Sequence, residues 1–336
     1  MRTIFSVLAI SILFSSCEKV FFPPEPDNEP VVIFNQFWND FNEYYAIFEE
    51  RGVDWDSMYQ VYAPQVDEGT TDDELFELLT AMIQPLDDGH VNLIAPSRKQ
   101  FSSNHIYRDS VGFSLWDLDV IKQSYLGGSF EGVDSIGYVY GLINGEIIYV
   151  YFTYISDNMP VIDDIIAQYP NAKGMIIDLR HSYGGDFTWA FQYFGRFTDQ
   201  SRLVFQSATK NGPGKEDYED WYPWYLEPSG DYFSKPLVLL TDRYTISASE
   251  RTVMALKVIP GIIHIGDTTN GAHSTMIGRE LPNSWYYSLS PQKILFADGK
   301  SYEGIGMIPD IVLFNTVSNL ENGIDDQLDR AIDVLQ

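Results

Sequence analysis

Short apolar runs separated by helical stretches constrain this chain more than any other feature. Ile147–Phe152 is a continuous apolar and aromatic run of strand length, and Met175–Leu179, Leu237–Thr241 and Ile262–Ile265 repeat the pattern. Between them, Met159–Tyr169, a stretch from the Gly184-Gly185 turn to about Phe197, and Ser249–Lys257 read as helices. Strands with no polar alternation are buried on both faces, and helices between them make βαβ units, so the spacing predicts an α/β fold with a mainly parallel sheet. Ligand sites on such sheets gather at the carboxyl ends of the strands. Asp178–Gly185 and Asp242–Ser249 both fall there. Ile311–Leu313 reads as a last strand, and a helix over Asp325–Leu335 turns Leu328, Ile332 and Leu335 inward.

Upstream the period changes. Phe34, Phe37, Trp38, Phe41, Tyr44, Tyr45 and Phe48 recur at steps of three and four, the mark of an amphipathic helix with an aromatic face. A second helix starts near Asp54-Trp55-Asp56. A third opens on the capping box Thr71-Asp72-Asp73-Glu74, carries Leu75, Leu78, Leu79 and Met82, and stops at Pro85. The expected organisation is a helical subdomain over 31–93, a connecting segment over 94–136 and an α/β core over 137–336.

The amino-terminal end has a different character. Arg2, then an apolar run from Ile4 to Phe14 that is too short to span a bilayer, then Ser15-Ser16, form a targeting segment over 1–16. The only cysteine, Cys17, follows directly. That order resembles a bacterial lipobox, with Phe14 where Leu is commoner, and implies an acylated Cys17 on a tether over 17–30 that is rich in Pro and acid. The expectation is a lipid-anchored protein of the cell envelope, in the outer membrane of a Gram-negative cell. With 48 acidic against 21 basic residues, a formal net charge of −27 disfavours nucleic acid as a partner. No His spacing suits a metal and no Gly loop stands beside a phosphate-binding Lys, so neither metal nor other cofactor is expected. Nothing in the pattern speaks to oligomeric state.

Three runs carry the chemistry. Ser247 follows a strand by a short turn and opens a helix, where free backbone N–H groups and the helix dipole favour a developing negative charge. Taken alone, Ser247-Ala248-Ser249-Glu250 is a capping box, with Ser247 as a simple N-cap. His90 follows the tight turn Asp87-Asp88-Gly89; an exposed turn residue and a general base are both open to it, and His181 and His273 are its rivals. Glu303 precedes Gly304-Ile305-Gly306, as a surface turn residue or as the carboxylate that fixes an imidazole tautomer. Gly184 and Gly185 permit a tight turn, and their N–H groups, with that of Ala248, could serve as oxyanion donors.

Asp178-Leu179-Arg180-His181-Ser182-Tyr183-Gly184-Gly185 resembles the strand-end and Gly-rich turn of the tail-specific, or C-terminal processing, serine peptidases. Thr241-Asp242-Arg243-Tyr244-Thr245-Ile246-Ser247-Ala248-Ser249-Glu250 is similar to that family's nucleophile segment, with Ser247 on the nucleophile. The resemblance implies a ClpP/crotonase-like β-α-β core. It also departs from the Ser-Lys branch, because Ala272 stands at the Lys position of the turn 266–273. Asp88-Gly89-His90 and Glu303–Asp310 are instead similar to the tricorn-like branch, which implies a Ser247-His90-Glu303 triad acting on peptide or protein substrates. An imidazole base has an ordinary pKa of about 6.5, which acidic surroundings are expected to raise. Residues 94–135 are too few for the PDZ domain many relatives carry. The competing reading is a non-catalytic envelope binding protein on the same fold, with the aromatic loop 221–225 lining its pocket.

Overall fold

In the computed structural model, residues 28–336 are described. The targeting segment, Cys17 and nearly all of the tether lie outside them. Three helices open the described chain: α1 (Pro30–Tyr44), α2 (Trp55–Tyr62) and α3 (Asp72–Ile83). Their ends follow local chemistry. Asp54 caps α2, accepting the Ser57 N–H at 3.4 Å. Thr71 and Glu74 close the box at α3, where the Thr71 N–H donates to Glu74 at 2.9 Å and the Glu74 N–H to Thr71 Oγ1 at 3.3 Å. The aromatic face of α1 is buried as its spacing predicts, with Phe37 and Phe41 at 0% exposure.

The bundle is not made of helices alone. Strands β1 (Asn92–Ile94) and β2 (Phe101–Ser102) follow the His90 turn. The chain then runs through β3 (Glu131–Val133), β4 (Tyr138–Ile143), β5 (Ile147–Phe152), α4 (Val161–Gln168), β6 (Gly174–Asp178), α5 (Phe187–Tyr193), β7 (Arg202–Thr209), β8 (Tyr222–Leu226), β9 (Leu237–Thr241), α6 (Ala248–Lys257) and β10 (Ile263–Gly266). After it come β11 (Ile277–Glu280), β12 (Tyr286–Leu289), β13 (Gln292–Phe296), β14 (Ile311–Val312), a short helix over Val317–Glu321 and α7 (Asp326–Leu335). The hairpin β11–β12 leaves the α/β core and pairs with β1 in a four-stranded antiparallel sheet ordered β11-β12-β1-β2. Leu281, Trp285, Tyr287 and Leu289 share one core with Phe34, Phe37, Leu79 and Met82. The helical subdomain is therefore discontinuous in sequence, its second half supplied from within 137–336.

The central sheet has seven strands, ordered β14-β10-β9-β6-β5-β4-β3. Its pairs from β14 through to β5 are parallel, and β4 and β3 add an antiparallel edge. Alternate residues of each strand serve opposite faces. Ile148, Val150, Met175, Ile177, Leu237 and Leu239 pack toward α5 and α6. Ile147, Tyr149, Ile176, Val238 and Leu240 pack toward α7 through Leu328, Ala331, Ile332 and Leu335. A third, antiparallel sheet ordered β13-β7-β8 lies over α5 and α6. The aromatic run 221–225 is thus largely a strand and not a loop, and Trp224 meets Phe187 edge-on at 4.9 Å.

Candidate active site

Two strand ends set the site. Asp178 of β6 lies opposite Leu240 of β9, so the turns that follow emerge side by side. They are tied together directly: the Ile246 N–H donates to the Ser182 carbonyl at 3.1 Å, and Thr245 Oγ1 to the Leu179 carbonyl at 2.7 Å. At the apex Ser247 is held at φ +61°, ψ −123°, a conformation that strains any residue with a Cβ. Glu250 closes the cap from its own side, accepting the Ser247 N–H at 3.1 Å. The Glu250 carboxylate also accepts from Gly271 N–H at 2.7 Å, Ala272 N–H at 2.9 Å and Thr269 Oγ1 at 2.5 Å, which clamps the 269–272 loop beneath the nucleophile turn.

The two glycines before α5 differ. Gly184, at φ +92°, lies under Ser247, where an added Cβ would stand 2.7 Å from the Ser247 Cβ. Its N–H donates to Ser249 Oγ at 3.1 Å and does not face the cleft. Gly185, at φ +126°, could not carry a Cβ without meeting the Ile155 carbonyl oxygen. Its N–H has no partner among the described residues, nor has that of Ala248. Both residues line the cleft that Ser247 and His90 share, a space of 620 Å³. Of the three expected donors, Gly184 is committed elsewhere, which leaves Gly185 and Ala248.

His90 arrives from the other subdomain. Its N–H donates to Asp88 Oδ1 at 2.8 Å, and Asp88 is fully buried, accepting also from Tyr45 at 3.0 Å and Ser290 at 2.7 Å. Gly89 makes the approach possible. An added Cβ would clash with Ile246 Cδ1 and stand 2.9 Å from Asn270 Oδ1 and 3.3 Å from the Ala272 Cβ. The His loop thus sits against both the nucleophile turn and the small residue at the position of the other branch's lysine. No direct hydrogen bond joins His90 to Ser247, though both face the same cleft, and His90 Nδ1 is buried without a partner. Burial pushes the His90 pKa below its usual value, against the opposing pull of Asp88 and Glu250. The acidic surroundings do not raise it, because desolvation outweighs them.

Glu303 is 3% exposed and does not line the cleft. One carboxylate oxygen is 3.4 Å from Arg51 Nη2, and the other, Oε1, has no partner among the described residues. Burial pushes its pKa up to about 8, despite Arg51 and with help from Asp88 and Glu250. It is not a surface turn residue. Neither rival histidine lines the cleft. His181 bonds Asp242 at 2.5 Å and is stacked between Trp116 and Tyr244. His273 is fully buried, 3.4 Å from Glu250, and does not line the cleft.

Two residues of this neighbourhood carried no sequence signal. Arg51, in the turn after α1, donates to the carbonyls of Asp87 at 2.7 Å and Gly271 at 2.6 Å as well as meeting Glu303. Arg251, four residues after Ser247 on α6, is 2% exposed and lines the cleft. Only the helical spacing from Ser247 could have pointed to it.

A mainly parallel sheet whose strand ends carry a strained serine turn, beside a buried histidine and free backbone donors, is the architecture of an α/β hydrolytic enzyme. The sequence model of peptidase family S41 matches residues 147–313, and that of the tricorn protease C1 domain matches residues 26–84. The chain belongs to peptidase family S41. Carboxy-terminal processing protease CtpA of Bacillus subtilis is 30% identical over 140 residues, which is 42% of this chain and 28% of that protein. The match therefore spans less than a third of that relative. A putative peptidase from Parabacteroides merdae has a TM-score of 0.82 at 28% identity, over 92% of this chain and 97% of its own. Mature CPAF in complex with lactacystin shares the fold, with a TM-score of 0.67 at 12% identity over 91% and 97% of the two chains.

Proposed function

We propose that this protein is a serine peptidase that hydrolyses peptide bonds through Ser247, His90 and Glu303. The observation that carries the reading is the strained Ser247 at a helix start, sharing one cleft with His90 and with the unpaired N–H groups of Gly185 and Ala248. Ser247 Oγ attacks the scissile carbonyl carbon as its proton passes to His90. The oxyanion accepts hydrogen bonds from Gly185 and Ala248, at the positive end of the α6 dipole. The imidazolium then donates its proton to the leaving amine, and water resolves the acyl-enzyme by the same route. Glu303 orients His90 from behind. Glu303 Oε1 and His90 Nδ1 are both buried and unpaired among the described residues, and Arg51 meets both Glu303 and Asp88, which holds the His90 N–H; these contacts support that role. Asp88 influences His90 more strongly, but both its oxygens are already engaged.

A fluorophosphonate probe tests the assignment. It should label the wild type, and labelling and hydrolysis of unfolded protein should both be lost in Ser247→Ala. Hydrolysis at the wild-type rate in that variant would reduce Ser247 to a helix cap. The proposal extends to location: an acylated Cys17 holds the enzyme at the cell envelope, as the Ser15-Ser16-Cys17 run ahead of a Pro-rich stretch supports. Mass spectrometry of the mature amino terminus should find diacylglycerol on Cys17, and an unmodified terminus downstream of it would sink the anchor alone.

A further inference from the structure

Arg251 is a buried cation without a carboxylate partner. Its Nε donates to the His273 carbonyl at 2.8 Å and its Nη2 to Gln292 Oε1 at 3.0 Å, both neutral acceptors. The guanidinium lies over the rings of Phe187 and Phe205, at 4.7 and 5.1 Å. Its Nη1 makes no hydrogen bond among the described residues, nor is it sealed from solvent as the buried unpaired atoms are. The nearest acidic influence is Glu303, which already meets Arg51.

The cleft makes that arrangement unusual. In a chain of net charge −27, no carboxylate lines it, and Arg251 is its one permanently charged lining residue. A charge held out of water without a counter-ion destabilises the fold, and aromatic faces offset only part of that. A ligand that brings its own carboxylate removes the deficit, and a lone positive site in a negative molecule draws such a ligand in. Arg251 and Ser247 line the same cleft, Arg251 one turn into the helix that Ser247 caps. A carboxylate bound by Arg251 therefore lies within about a residue of the bond that Ser247 attacks.

We propose that Arg251 is a specificity residue that binds a substrate carboxylate beside the scissile bond. Phe187 forms the apolar wall along which the carboxylate's methylene stem lies. Two sources present the same chemistry: an acidic side chain at the cleavage site, or the carboxyl terminus of the substrate chain. The inference rests on the peptidase reading for its geometry but not for its test.

The test uses four peptides of one sequence, with Glu or Gln at the central position and a free or amidated carboxyl terminus. Binding is measured by fluorescence anisotropy on the full-length Ser247→Ala protein, and kcat/KM on the wild type, Arg251→Met and Arg251→Lys. A charge-assisted pair predicts a roughly 10- to 100-fold preference for the peptide with the carboxylate at the recognised position. That preference should fall to about twofold or less in Arg251→Met and survive in part in Arg251→Lys. Dependence on Glu identifies the side chain as the source, and dependence on the free terminus identifies the chain end. Equal binding and turnover of all four peptides overturns the proposal, as does a preference unchanged in an Arg251→Met protein that still labels with fluorophosphonate. If Arg251→Met does not label, Arg251→Lys together with binding to Ser247→Ala decides. Selective binding without turnover or labelling of the wild type would sink the peptidase reading and leave this one standing; labelling without selectivity would do the reverse.

Discussion

At the scale of single residues, the site is governed by desolvation rather than by net charge. Burial moves His90 down and Glu303 up, so both favour their neutral forms in the resting enzyme. For His90 that is useful, because a neutral imidazole is available as a base throughout the neutral range. For Glu303 it is a stability cost. Its folded pKa of about 8 stands above the unfolded 4.5, so the folded state binds the proton more tightly. That contribution to stability is complete below the unfolded value and is lost as pH rises through about 8. Glu303→Gln, which cannot ionise, should escape the loss. It is expected to be more stable than the wild type at pH 9 by on the order of 1–3 kcal/mol, with little difference near pH 4.5. Its turnover should fall, since an amide, unlike the Glu303 carboxyl, cannot ionise to stabilise the imidazolium when it forms. Urea melts across that pH range check the first claim. A wild-type stability that holds level from pH 5 to 9 would refute the cause given for the shift.

At the scale of elements, the apposition of two loops matters more than any one of them. The Asp87–His90 turn reaches the Ser247 turn because Gly89 carries no side chain where Ile246, Asn270 and Ala272 converge. Gly89→Ala should push the loops apart and cost about 1–3 kcal/mol as an overpacking change. Its effect on kcat should be larger than its effect on KM, because a displaced base spoils the transition state before it spoils binding. A variant with wild-type kcat would show that His90 need not approach so closely. The parallel strands and the turns at their ends were legible in the sequence, since runs such as Leu237–Thr241 are buried on both faces and announce themselves by composition alone. The small sheets were not. β1 pairs with β12 across most of the chain, Asn92 opposite Ser288, and no local period records that pairing. β8 leaves Tyr222 and Tyr225 exposed and includes Pro223, so it reads as a loop until β7 is beside it. The two glycines also looked equivalent as oxyanion donors, because their difference depends on Ser249, which is brought to Gly184 only by the fold.

At the scale of the whole molecule, the cleft is a junction of two cores. The helical side supplies His90, Asp88 and Arg51, and the α/β side supplies Ser247, Gly185, Ala248 and Glu303. Clefts between cores are common binding places, and each side here would be incomplete alone. Arg51 ties them together directly. From the turn after α1 it reaches the Gly271 carbonyl and Glu303 on the far side while holding the Asp87 carbonyl and Asp88, at 3.8 Å, on its own. Its surrounding carboxylates hold its pKa above the usual range, so it remains charged at every working pH. Arg51→Met would leave Asp88 and Glu303 buried with no cation between them, which should cost about 3–5 kcal/mol. Much of that loss is the burden of the orphaned carboxylates and not the worth of the contacts. Removing one of them at the same time should therefore recover part of it. The double variant Arg51→Met/Glu303→Gln is expected to lose less than the sum of the single changes, with a coupling of roughly 1–3 kcal/mol at pH 8. At pH 5, where Glu303 is protonated in the folded protein, the coupling should shrink. Urea unfolding of the four proteins at the two pH values measures it directly. Strict additivity at pH 8 would mean that Arg51 and Glu303 do not interact across the junction, and that Arg51 ties the two cores through the Gly271 carbonyl alone.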